Sequence, residues 1–151
     1  MTRVIFHSSA GFGEYAARNV IVFDGSTGSG EVGTVDLFTV TGAVQIMLVA
    51  ACTESLAEAL ATASVEVGVS TDTAGLIAQT PALDINIGHI WRDAIPAAME
   101  VMSSFGGAFI GGGEDIILTV AGGVGRDVND GTIEFTCFWT PLTADGNVAA
   151  A

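Results

Sequence analysis

Several groups of residues in this 151-residue chain have types and spacings that invite a chemical reading. Gly28-Ser-Gly30-Glu-Val-Gly33 spells G-x-G-x-x-G, the pattern that lets a backbone wrap a pyrophosphate. That chemistry needs a strand before the glycines and a helix after them, so that phosphate meets a helix N-terminus. Here a strand pattern, Thr34 to Val40, follows, and Glu31 would repel the phosphates. Asp127-Val-Asn129-Asp130-Gly131 resembles a shortened calcium loop, but Glu134 comes too soon to be its bidentate ligand. The same residues are ordinary turn formers, and that reading is preferred. His7, His89, Cys52 and Cys137 are the histidines and cysteines, and no local spacing among them matches a zinc site. The chain has no lysine, which removes a P-loop, and no Gly-x-Ser-x-Gly elbow. No acid pair is flanked by the aromatic residues of a glycosidase cleft. The expectation is a protein that is not an enzyme, with no cofactor and no metal.

Composition narrows the partners. Seventeen acids stand against four arginines, a formal charge of −13. Such a chain repels nucleic acid, whose binding depends on Lys and Arg displacing counterions, and it repels anionic membrane surfaces. Half the residues are apolar, so a packed core is expected, and the length fits one domain. The longest apolar run, Ile46 to Cys52, is seven residues against the roughly 20 that a spanning helix needs. Met1 to Ser9 is too short and too polar for the apolar region of a signal peptide. Cys52 and Cys137 fall on strand patterns and are expected as buried thiols in a reducing cytosol rather than as a disulfide.

The elements that would position any site are strands. Val20 to Phe23, Val35 to Thr41, Val44 to Cys52, Ala63 to Val69, Ile85 to Trp91, Ile116 to Ala121 and Thr132 to Trp139 carry β-branched and aromatic residues between glycine-rich turns. Val44 to Cys52 is apolar on both faces and must be covered on both. Ser55-Leu-Ala-Glu58 matches a capping box, which suggests a short helix over Glu54 to Ala61. Ala98 to Met102 is a candidate edge strand, and Ser70 to Gly75 and Ser103 to Gly113 read as turn and loop. The pattern predicts an all-β fold, an antiparallel β-sandwich or jelly roll of seven to eight short strands with at most one short helix. Residues 1–31 read as an N-terminal arm or peripheral segment, or alternatively as a strand in the sheet; residues 32–151 form the sandwich domain.

The last segment is the most telling. Ile133, Phe135, Cys137 and Trp139 share one side of a strand, Pro141 ends it, and a small polar tail runs from Thr143 to Ala151. Trp139-Thr-Pro-Leu-Thr-Ala-Asp145-Gly-Asn-Val-Ala resembles the C-terminal signature of small tailed-phage virion proteins of the capsid decoration (cement) type. Three further blocks resemble that family in order: Val32 to Gly42, Val65 to Gly68 with Thr73 to Thr80, and Ile90-Trp91 with Asp93-Ala-Ile-Pro96. Thr140 departs from the pattern, which commonly has arginine after the tryptophan, and residues 1–31 have no counterpart.

The resemblance implies a non-enzymatic virion structural protein, most often a head decoration protein on the outer capsid surface, made in the host cytoplasm. Its partners would be the major capsid protein and itself, as a homotrimer. Arg3, Tyr15, Arg18, Met47, Val49, Phe105 and Phe109 are the candidate interface residues, drawn from the N-terminal segment, the doubly apolar strand and the apolar glycine-rich loop. A tail- or fibre-associated component is the alternative within virions. A carbohydrate-binding β-sandwich is the alternative outside them, and it would require an exposed Trp91, Trp139 or Tyr15.

Overall fold

The computed structural model describes residues 14–60, 62–101 and 107–151. Among them are ten strands and no α-helix: β1 (Tyr15–Val22), β2 (Gly33–Thr41), β3 (Val44–Glu58), β4 (Ser64–Val69), β5 (Asp72–Pro81), β6 (Ile90–Trp91), β7 (Ala108–Ile110), β8 (Ile116–Ala121), β9 (Val128–Pro141) and β10 (Asn147–Ala150). A single turn of 3-10 helix, Ala82–Asp84, follows β5. All pairings between strands are antiparallel, in two five-stranded sheets. The first runs β1-β9-β3-β6, with β7 also on β3; the second runs β10-β2-β8-β4-β5. This is the β-sandwich expected from the strand patterns.

Period-2 alternation explains which side of each strand is inside. Ile133, Phe135, Cys137 and Trp139 of β9 face inward beside Ile46, Ala50 and Cys52 of β3. Val35 and Leu37 of β2, Ile116, Leu118 and Val120 of β8, and Val65 and Val67 of β4 face them from the second sheet. Trp91 closes the core at the β6 edge, fully buried, with its ring edge-on to Phe135 at 6.4 Å. Its Nε1 donates to Thr80 Oγ1 at 2.8 Å, so the indole's polar atom is satisfied inside.

Several expectations are corrected. The helix over Glu54 to Ala61 does not form; β3 continues to Glu58, bulging against β9 between Cys52 and Glu54 and again around Ala57. The bulges turn Leu56 into the core, and the capping-box side chains take other roles. Ser55 Oγ accepts the Ile87 N–H at 2.8 Å, and Glu58 accepts the N–H groups of Thr62 and Ala63 at 3.0 and 2.7 Å. Opposite the bulge Gly131 adopts φ +110°, and a Cβ there would stand 2.7 Å from the Ser55 carbonyl oxygen. Only glycine fits.

Residues 85–89 run along the β3 edge without joining a ladder, and only Ile90–Trp91 is strand; Ala97 forms one bridge to Ile90, and of the edge strand expected over Ala98 to Met102 the described residues 98–101 form none, Met102 lying outside the described residues. The turn at Ser70 is shorter than expected, because β5 already begins at Asp72. Ala108–Ile110 within the glycine-rich loop is strand β7. The arm reading of residues 1–31 fails from Tyr15 onward: β1 pairs with β9 along its whole length, and Ile21 and Phe23 lie in the core. The polar tail is likewise structural. Asn147–Ala150 pairs with β2, buries Val148 and carries the chain from the first sheet to the second.

Candidate docking face

Because odd residues of β9 point inward, its even residues point out, and the register fixes their neighbours. Thr136 lies between Val49 of β3 and Arg18 of β1, Glu134 between Ala51 and Val20, and Phe138 between Met47 and Ala16. Phe109 of β7 pairs with Gln45 and so joins this outward side at the β3 edge, 66% exposed. Val20 and Val22 extend it along β1 at 48% and 59% exposure. Over this regular ladder, Val44–Cys52 against Ile133–Pro141 and β1, the outward positions carry one acid and one base. They are Glu134 and Arg18, joined at 2.6 Å. Both remain substantially exposed, so the pair contributes at most about 1 kcal/mol to stability, but it balances charge over this ladder; Glu54, which accepts from Thr132 Oγ1 at 3.0 Å one step beyond it, is the next acid on this side.

The outward side of the second sheet differs. Asp36 of β2 and Glu66 of β4 project from it, and Asp72, Glu114 and Asp115 border it. Glu114 accepts hydrogen bonds from the hydroxyls of Ser70 and Thr71 at 3.1 and 2.9 Å, and Asp115 accepts the Val40 N–H at 2.9 Å. Glu66 accepts from Thr73 Oγ1 at 2.6 Å. Glu66 and Glu114 tie turns together, and among the described residues no arginine stands beside these acids.

At the outer edge of the first sheet β6 pairs with Ala50–Ala51 of β3 and β7 with Val44–Ile46, so Met47–Val49 has neither neighbour. A cavity of about 440 Å³ opens there, with Met47, Leu48, Val49, Arg92 and Glu100 among its lining residues. The connection from β6 to β7 carries Ile95, Met99 and Val101, all strongly exposed.

Of the residues singled out from sequence, Arg18, Met47, Val49 and Phe109 come together on this one face. Met47 is nearly buried within it, whereas the other three are accessible to differing degrees. Tyr15 does not share it: its ring stacks on Trp139 at 4.6 Å, at the end of β1. Arg3 and Phe105 lie outside the described residues. The sequence reading missed Val20, Val22, Thr136 and Phe138, which the alternation of β9 would have supplied once β1 was placed beside it.

The other candidate chemistries meet local structure instead. The G-x-G-x-x-G loop makes tight turns, with Ser29 N–H on the Ser26 carbonyl at 2.8 Å, and leads into β2. Asp24 accepts from Ser26 Oγ and N–H, and these bonds, the side-chain one first, hold its carboxyl below the usual range. Asp127 accepts the Val32 N–H at 2.9 Å, which ties two loops together, and Asp130 accepts the Gly131 N–H at 2.9 Å within its own turn. Among the described residues no group of three His, Cys, Asp or Glu side chains is placed to hold a metal. Cys52 and Cys137 are free and buried. Burial pushes the Cys52 thiol up, and raises that of Cys137 to about 12, which removes thiolate character at neutral pH. Trp91 has no exposed surface and Trp139 very little, so neither offers a sugar-stacking platform. Comparison with protein-family models, curated proteins and solved structures finds no match to this chain.

Proposed function

We propose that this protein is a non-enzymatic structural component of a tailed-phage virion that decorates the outer surface of the head and reinforces it by lying across neighbouring capsid subunits. The observation that carries the reading is the division of charge. A protein of formal charge −13 keeps the centre of one sheet face, from β1 across β9 to Met47–Val49, balanced in charge and largely apolar, with Glu54 only at its end, the surface composition expected where a protein partner excludes water. The acidic remainder would face solvent and keep densely packed copies apart in solution. The terminal motif that resembles decoration proteins supports the same reading, because its residues build the crossing from β9 to β10. Ala43 N–H bonds to Thr143 Oγ1 at 2.9 Å, and Gly146 N–H to the Thr143 carbonyl at 3.0 Å.

Co-sedimentation with heads that lack accessory proteins tests it. Saturable binding at a ratio fixed by the capsid lattice is the expected outcome. Absence of binding to heads, with binding to purified tails, would replace the head by the tail.

A further inference from the structure

We infer that β1 is a self-recognition edge, at which a second copy of this chain adds its own β1 in antiparallel register to join two first sheets into one. In an antiparallel ladder, residues alternate between those whose N–H and C=O meet the partner and those whose groups point away. Phe23 N–H donates to the Gly131 carbonyl at 2.8 Å, so the odd residues of β1 address β9 in the register Ile21↔Ile133, Asn19↔Phe135. The N–H and C=O groups of Ala16, Arg18, Val20 and Val22 therefore point off the sheet. Among the described residues no other strand pairs there.

Nothing on β1 protects this edge. It runs eight residues without proline, lysine or bulge, whereas the edge at β10 is only four residues long. A two-fold axis through Asn19 sets Arg18 opposite Val20 of the second copy and Ala16 opposite its Val22. All four outward-pointing residues are then used on each strand, forming about eight backbone hydrogen bonds. Apolar side chains meet across the seam, and Arg18 faces no second arginine. Charge fits the same register. Val20 lies opposite Glu134 of β9, so Arg18 of the second copy, placed beyond Val20, is about two strand spacings, roughly 10 Å, from Glu134. The long guanidinium side chain can span that gap. Each Glu134 thus has an arginine of its own chain at 2.6 Å and another reaching across the seam. A register shifted by one pair would set Arg18 against Arg18.

The pairing stands on β1 alone and does not need the head. It closes a two-fold, not the three-fold that the family resemblance implies, and it would double the neutral face proposed to dock.

Light scattering and sedimentation equilibrium of the full chain over a concentration series provide the test. The expected mass is twice that of the 15.3 kDa chain. Val20→Pro removes only an N–H that points off the edge, so it should weaken association at least about 100-fold while leaving the melting temperature of the monomer nearly unchanged. Arg18→Glu should weaken it about tenfold, and Glu134→Arg added to it should restore it. One chain mass at every concentration, three chain masses, or a dimer indifferent to Val20→Pro would each overturn the inference. So would a full-length monomer that becomes a dimer only when residues 1–13 are removed, because the chain's own N-terminus would then be the occupant. A monomer that still binds heads would overturn the pairing and leave the docking proposal intact.

Discussion

On β9, Thr136 looks outward from between Val49 and Arg18, and the nearest acid, Glu134, is matched by that arginine at 2.6 Å. On β4, Glu66 looks outward beside Thr119 of β8, Asp36 and Asp115 line a hollow on the same side, and among the described residues no cation stands with them. Both surfaces are outer faces of antiparallel sheets of equal strand number, and both cover the same core. Folding therefore does not explain why one is neutral and apolar and the other acidic, since either composition satisfies an outward-facing ladder. On the proposed function, the difference lies in what each face meets. The acidic face suits water and repels other acidic molecules, while the neutral face can approach a protein surface without stripping water from uncompensated charge.

The largest effect should come from what both faces rest on. Phe135→Ala empties space beneath Trp91 and should cost about 3–5 kcal/mol in denaturant unfolding, lowering head binding only through loss of folded protein. A binding loss in the variant's still-folded fraction would mean that the core and the face are not separable.

Next is pH. The Cys137 thiol is raised by burial from its ordinary value near 9 to about 12, so the folded state disfavours the thiolate. Its contribution to stability is fully present below about pH 9 and is lost as pH rises toward about 12. Thermal unfolding from pH 8 to 11 should show a decline that Cys137→Ala flattens; an equal decline in the variant would assign it elsewhere.

Salt gives a smaller signal. Docking through a neutral face should change affinity less than about threefold between roughly 0.05 and 0.3 M salt, because few charges are screened on contact. A steep fall would indicate that charged surface forms the contact. Least of all, Asp36→Asn on the acidic face should shift stability by no more than about 0.5 kcal/mol and head binding by less than about twofold.

The sandwich was legible in the chain because its core strands alternate cleanly: Ile133, Phe135, Cys137 and Trp139, and Val65 and Val67, are inward as their spacing requires. The edges were not. A capping box at Ser55–Glu58 looks helical locally, but pairing with β9 outweighs that local preference and Leu56 gains the core by a bulge. β1 hid in an arm-like segment because Tyr15-Ala-Ala-Arg-Asn carries little apolar alternation, and its pairing is set by β9 rather than by its own residues. β10 hid in a tail of alanines for the same reason. As for the site, the run around Met47 and Val49 is visibly apolar on both faces, and Phe109 stands out as an aromatic of its glycine-rich loop. Their convergence with Arg18 required the β1-β9-β3 order, which no local pattern encodes.

One comparison of matched charges tests docking through the neutral face most directly. Val49→Asp places an acid on the neutral face, and Thr39→Asp places one on the exposed side of β2 in the opposite sheet. With both variants shown to be folded by thermal unfolding, co-sedimentation with undecorated heads should show Val49→Asp binding about 100-fold more weakly, with Thr39→Asp within about threefold of the parent. Equal losses, or no loss from Val49→Asp, would contradict docking through the neutral face.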